Sequence, residues 1–344
     1  MQFLKFKRFK EKPEKILIVR TDRIGDIVLS TPVIKNLRLA FKNSHIAFMC
    51  RPYTLEVLEG NPYLDEIIVY DKDFKHKSSF ASAIFSIRLK KKKFDWAIIL
   101  HPTLRVHLIS FFAGIPFRVG WDAKGGWLLT KRLPYIKHLG LKHELEYTLS
   151  ILEFIGVPIV DKSMYFPIKK ESEEKIEEFL KKHDINKFIV IHPWASCPSK
   201  RWPVNYFKEL IDILKEEIKF NVIIVSEKKE ETDLFKDLDT INLNLNLSML
   251  GSLLKRAKLF ISNDSGPVHI ASALNTPVIS IFGRNQPGLS FVRWRPLGEN
   301  SFYFHKDVGC NICLAHNCKK GFLCLKEIKP KEVAIKAIEI LNKS

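Results

Sequence analysis

Residues Asn263–Gly283 read Asn-Asp-Ser-Gly-Pro-Val-His-Ile-Ala-Ser-Ala-Leu-Asn-Thr-Pro-Val-Ile-Ser-Ile-Phe-Gly. The pattern is strand end, tight turn, short helix, second turn and strand. Leu259 to Ser262, just before it, is an apolar strand running into polar residues. Gly266-Pro267 marks a helix start, because proline is tolerated where no intrahelical donor is needed. The first turn of such a helix presents free N–H groups and the positive end of the helix dipole, which suits a phosphate. Asn275-Thr276-Pro277 closes the helix, and Val278 to Phe282 is a continuous apolar run of the kind buried in a parallel sheet. The stretch alone predicts an α/β fold with a nucleotide-phosphate site.

Working outward, Phe188 to Ile191 is a strand followed by the loop His192 to Pro203 and a helix from about Val204 to Ile218. Ser196, Lys200 and Arg201 in that loop, with a helix N-terminus behind them, form a pyrophosphate cradle or a basic surface loop anchored by Trp202. Asn221 to Val225 is the next strand. An acid after the second strand of a nucleotide-binding α/β unit takes ribose hydroxyls, which singles out Glu227 or Glu230; each also serves as an ordinary helix-start acid. Gly156 to Lys169 lacks periodicity and carries Pro158 and Pro167, so the domain boundary falls there, giving residues 1–165 and 166–344.

The first half alternates strands (Lys15–Arg20, His45–Cys50, Glu66–Tyr70, Asp95–Leu100, Phe117–Trp121) with helical segments, the pattern of another α/β domain. Arg20-Thr21-Asp22-Arg23-Ile24-Gly25-Asp26 is the turn from the first strand into a helix expected over about Ile27 to Phe41. Asp26 at that helix start is either a cap or a general base, since open α/β sheets place their chemistry at the carboxyl ends of strands. Arg20 and Arg23 beside it are candidates to hold an anionic acceptor. His101 ends a strand on the same sheet edge.

Composition bounds the rest. The chain has 344 residues, enough for two domains, with no apolar run of membrane-spanning length. A formal charge of +18 points to polyanionic partners without choosing among nucleic acid, anionic lipid and phosphorylated sugar. The basic, Phe-rich arm Met1 to Pro13 is too broken by charge for a signal peptide and suits an anionic membrane surface, so the expected location is cytoplasmic, at the periphery of the inner membrane. Cys310, Cys313, Cys318 and Cys324 form a C-x2-C-x4-C-x5-C cluster, open to three readings: a metal or iron-sulfur site, packed reduced thiols, or a labile disulfide.

Four segments in order then resemble glycosyltransferase family 9, the ADP-heptose:lipopolysaccharide heptosyltransferases: Arg20 to Pro32, His192 to Pro203 with its S-K-R-W-P ending, Leu250 to Gly283, and the cysteine-bearing tail. The resemblance implies a GT-B architecture, two Rossmann-like domains facing across a cleft, the first for acceptor and the second for nucleotide sugar. It implies that Asp26 is the base, that Lys200 contacts the donor phosphates, and that Asp264, Ser265, Gly266 and His269 line the donor site. Ser196 and Glu230 join the donor set, and Arg20 and Arg23 the acceptor set. The implied reaction is inverting transfer of heptose from ADP-heptose to the inner core of lipopolysaccharide (Kdo-lipid A or a heptosyl acceptor), needing no metal or other cofactor, with domain closure excluding water.

Other readings fare worse on the residues. A family member using another nucleotide sugar for a capsule or other surface glycan shares every phosphate-reading motif. A nucleic-acid-binding protein fits the charge, but no recognisable module appears and the lysines are not interleaved with stacking aromatics, so no nucleic-acid partner is expected. A hydrolase lacks G-x-S-x-G, and a dehydrogenase lacks G-x-G-x-x-G after any strand.

Overall fold

The computed structural model describes residues 12–343, so the arm over residues 1–11 and its expected membrane contact lie outside the described residues. The chain divides into two compact units, one running to Ile136 and resuming over Leu145–Ser163, the other made of Lys137–Glu144 and the chain from Met164 onward.

The first unit is built on β1 (Lys15–Val19), β2 (His45–Cys50), β3 (Glu66–Val69), β4 (Trp96–Ile99), β5 (Phe117–Asp122) and β6 (Lys131–Pro134). Its helices are α1 (Ile24–Val28), α2 (Thr31–Ala40), α3 (Ser79–Lys90), α4 (Leu104–Phe112) and α5, which spans Glu144–Phe154 and so begins at the unit boundary. The strands run parallel in the order β3-β2-β1-β4-β5-β6. Central strands β1, after its exposed first residue Lys15, and β4 are apolar and buried on both faces, as a parallel sheet covered by helices requires. Side-chain caps start α3 and α4, where the Ser78 and Thr103 hydroxyls accept from Ala81 and Val106 N–H.

In the second unit the strands are β7 (Phe188–His192), β8 (Asn221–Ser226), β9 (Ile241–Asn244), β10 (Leu259–Asn263), β11 (Val278–Phe282) and β12 (Ser301–His305). Its helices are α6 (Lys170–Lys182), α7 (Val204–Glu217), α8 (Lys229–Thr232), α9 (Leu247–Leu254), α10 (Gly266–Ala273), α11 (Phe291–Trp294), α12 (Leu323–Lys326) and α13 (Pro330–Leu341). The sheet is again fully parallel, β12-β11-β10-β7-β8-β9. Helices α7 and α13 share one apolar core with β7, β8, β10 and β11, in which Phe207, Leu210, Val333 and Ala337 are fully buried.

Both sheets follow the doubly wound Rossmann order, so each has a switch point where successive crossovers leave in opposite directions and a crevice opens at the carboxyl strand ends. In the first sheet it lies between β1 and β4; in the second, between β7 and β10. This topology selects the loops after β1, β4, β7 and β10 as the places for chemistry.

The division of the chain differs from a single cut after residue 165. Segment Lys137–Glu144 belongs to the second unit because it is tied to α11 by charge and to the loop before it by close packing. Fully buried Glu144 pairs with Lys137 Nζ at 2.7 Å and Arg293 Nη2 at 2.6 Å. Gly140 has φ +62°, and a Cβ there would lie 1.9 Å from the Pro287 carbonyl oxygen, so only glycine fits.

Candidate functional site

The turn after β1 is organised by Arg20. Its side chain is 1% exposed, and its three nitrogens are all engaged: Nη2 donates to Asp26 Oδ1 at 2.6 Å, Nε to Asp22 Oδ2 at 3.3 Å and Nη1 to Ser30 Oγ at 3.1 Å. Arg20, expected beside the acceptor, is engaged within its own turn. It holds the Asp26 carboxylate, and Asp22 and Asp26 in the same turn offset the cost of burying its charge. Arg23 is exposed, and its backbone N–H donates to Asp26 Oδ2 at 3.3 Å. His101, after β4, places Nδ1 3.1 Å from Asp22 Oδ2, so the two loops flanking the first switch point meet in one network.

The helix expected from Ile27 to Phe41 is two helices. Pro32 in the first turn of α2 has no N–H to continue α1, and the chain breaks at Leu29-Ser30. Asp26 consequently sits in the first turn of the short α1, with its side chain still partly exposed.

At the second switch point the loops after β7 and β10 are stitched together by buried Asn263. Its Nδ2 donates to the Pro193 carbonyl at 2.7 Å and its Oδ1 accepts from Trp202 N–H at 3.0 Å. Trp202 is buried and donates Nε1–H to the Ile328 carbonyl at 2.9 Å, fixing the end of the loop that carries Lys200. Lys200 Nζ then reaches Asp264 Oδ2 at 2.9 Å. Arg284, immediately after β11, reaches the same oxygen through Nη2 at 3.0 Å. Sequence reasoning passed over Arg284; its signal is a lone arginine directly after the Phe282-Gly283 strand end.

Burial alone would raise the Asp264 carboxyl, but the charges of Lys200 and Arg284 outweigh it and hold the group below its usual value of 3.8. A depressed folded value means that this grouping contributes stability present above the unfolded carboxyl pKa and lost as pH falls through the folded one. Thermal unfolding between about pH 2 and 5 is expected to show Tm falling on acidification, with a shallower fall in Asp264→Asn. Parallel slopes in the two proteins would exclude this account.

Asp264 leads directly into α10, whose first turn is Gly266-Pro267 and whose preceding residue, Ser265, has no side-chain cap bond. Ser265 Oγ instead lies 3.0 Å from Ser262 Oγ and 3.4 Å from His192 Nδ1. Desolvation pushes half-buried His192 down to about 4. The same cause, with the nearby His143, pushes buried His269 in α10 down to about 3, so both imidazoles are neutral at physiological pH. His269 Nδ1 has no hydrogen-bond partner among the described residues.

The remaining predicted residues are dispersed. Ser196 is exposed on the loop after β7. Glu230 is exposed on α8, whereas its neighbour Glu231 accepts a hydrogen bond from Ser226 Oγ at the carboxyl end of β8. The local order therefore favours Glu231 over Glu230 as the acid beside the second strand. Cys310, Cys313, Cys318 and Cys324 are reduced and line one cavity of about 360 Å³, together with Arg284, His305 and Lys306. Backbone N–H groups of Asn285 and Phe322 point at Cys313 and Cys318 Sγ, each at 3.4 Å. Burial, reinforced by the other three thiols, pushes Cys324 up to about 11. Among the described residues no group of three or more His, Cys, Asp or Glu side chains is arranged to hold a metal ion.

Comparison with known proteins bears on the fold and the family. The profile of glycosyltransferase family 9 (heptosyltransferase) matches residues 84–323. The lipopolysaccharide core heptosyltransferase OpsX of Haemophilus influenzae is 25% identical over 295 residues, 81% of this chain and 82% of that protein. Among solved structures, the family 9 glycosyltransferase of Veillonella parvula superposes with a TM-score of 0.84 at 23% identity, covering 96% of this chain and 98% of its own. ADP-heptose LPS heptosyltransferase II of E. coli gives 0.77 at 20% identity, covering 96% and 99%. These likenesses assign the two doubly wound units to the GT-B fold class. With a profile match over more than half its length and a Rossmann switch point in each unit, the chain belongs to glycosyltransferase family 9 (heptosyltransferase).

Proposed function

We propose that this protein transfers heptose from ADP-heptose to the inner core of lipopolysaccharide, with Kdo-lipid A or a heptosyl residue as acceptor and inversion at the anomeric carbon. The observation that carries the reading is the Lys200–Asp264 pair at the start of α10, a cation and a helix N-terminus at one switch point. The names of the E. coli neighbour and of OpsX supply donor and acceptor class.

Sugar transfer builds positive charge on the anomeric carbon and negative charge on the departing diphosphate. Lys200 and the N–H groups of the Ser265-Gly266 turn stabilise the departing charge. Asp26 takes the proton of the acceptor hydroxyl as the new glycosidic bond forms and the bond to ADP breaks. Arg20 and Arg23 N–H fix the Asp26 carboxylate, so Arg20 acts through Asp26, and exposed Arg23 is the acceptor-side cation. Neutral His269 offers a hydrogen bond to the donor sugar, Ser196 one to its phosphates, and the acid pair Glu230-Glu231 meets the ribose. The reaction so described needs no metal. The basic arm, with the overall charge of +18, suits peripheral association with the cytoplasmic face of the inner membrane, where the lipid-anchored acceptor is made. No helix among the described residues is long and apolar enough to cross a membrane.

Incubation with ADP-heptose and truncated core acceptors is expected to add one heptose, read by mass spectrometry. Lys200→Ala is expected to lower kcat/KM by about 10- to 100-fold, the worth of a hydrogen bond to a charged group. Failure to glycosylate any core acceptor would sink the proposal.

A further inference from the structure

We infer that Arg284 is a second cationic contact for the donor diphosphate, standing with Lys200 at the N-terminus of α10. The inference rests on the nucleotide-sugar reading and adds to it a residue that none of the family-bearing segments above assigns to the donor site. Arg284 is only 6% exposed, yet its guanidinium makes one described ion pair, to Asp264 Oδ2, an oxygen already claimed by Lys200. Buried Arg284 and partly exposed Lys200 thus share one carboxylate, leaving an excess positive charge around Asp264.

The buried Nε of Arg284 has no hydrogen-bond partner among the described residues. An unpaired guanidinium N–H in a protein interior is costly, and such groups are nearly always satisfied. A phosphate oxygen would complete it: the planar guanidinium matches phosphate with two parallel N–H bonds, which an ammonium does not offer. The position is also built for closeness to the Lys200 loop. A Cβ on Gly283 would lie 2.7 Å from the Ser199 carbonyl oxygen, so glycine here lets the end of β11, and Arg284 after it, approach the residue next to Lys200. Asp264 serves as the counter-ion that keeps both cations in place until the diphosphate supplies its own charge.

A purely structural Arg284, present only to neutralise Asp264, predicts different binding, and the full-length protein distinguishes the two. ADP affinity is measured by calorimetry and adenosine affinity by ligand-observed NMR, for wild type, Arg284→Gln and Arg284→Lys. Arg284→Gln is expected to weaken ADP by about 10- to 100-fold and to leave adenosine unchanged. Arg284→Lys, which keeps the charge and loses the fork, is expected to fall between them. Equal losses for ADP and adenosine, or unaltered ADP affinity in both variants, would overturn the inference while leaving the donor reading intact. If Arg284→Gln does not fold, Arg284→Lys decides: unchanged ADP affinity overturns the inference, and a selective loss for ADP supports it. Wild type that does not bind ADP overturns the donor reading itself.

Discussion

Asp26→Asn is expected to slow glycosyl transfer by about 10²- to 10⁴-fold, the usual worth of a positioned general base, while ADP affinity stays at the wild-type value. Asparagine has the shape of aspartate and keeps an oxygen to accept from Arg20 Nη2, so the turn after β1 and helix α1 are retained. It cannot take up a proton. The loss should therefore appear in kcat under single-turnover conditions with saturating donor. Changing Arg20 should reproduce part of it, because Arg20 reaches the reaction only through the orientation of the Asp26 carboxylate. Retention of more than a tenth of the wild-type rate by Asp26→Asn would assign the base elsewhere, and Asp26 would then be no more than the acid of its helix turn.

Glu144→Ala is expected to be the most damaging change away from the proposed chemistry. Its carboxylate is inaccessible to solvent, and it faces Lys137, itself 1% exposed, and Arg293, also largely buried. Removing one partner of a buried ionic group leaves the others charged and desolvated, at a cost of about 3–5 kcal/mol. Denaturant unfolding is expected to show the unfolding free energy lowered by that amount. A loss below about 1 kcal/mol would put the group in the class of weak surface pairs. Glu144→Gln should be intermediate, since it keeps a hydrogen-bond acceptor and loses the charge.

The legible parts of the molecule were those written in continuous apolar runs. Val278–Phe282, His45–Cys50 and the core of β1 stand out because parallel strands buried on both faces carry no polar alternation. Strand β6 was passed over: Lys131-Arg132-Leu133-Pro134 is an edge strand with mostly exposed side chains and no apolar signal. Strand β12 was passed over too, since Phe302, Tyr303 and Phe304 follow a loop already dense in aromatic residues. In α4, the apolar Leu104–Phe112 has little facial contrast, so helical periodicity is faint there.

Among candidate site residues, Asp26, Lys200, Asp264 and Gly266 stand out in the sequence because turns at strand ends have local signatures. Arg20's partners at positions 22, 26 and 30 are in plain view, but only the folded turn shows that they engage all three of its side-chain nitrogens. Glu144 and Arg293 carry no local signal, being 149 residues apart.

The threefold passage of the chain between its units, at Ile136/Lys137, Glu144/Leu145 and Ser163/Met164, bears on how such transferases can be recombined. A chimera joined at residue 164, meant to graft the second unit of one enzyme onto the first unit of another, would inherit Arg293 and Pro287 from one parent and the segment bearing Lys137, Gly140 and Glu144 from the other. The buried charges would then be mated at random. Grafts that carry residues 137–144 along with the second unit preserve the match, so the portable module is a discontinuous one.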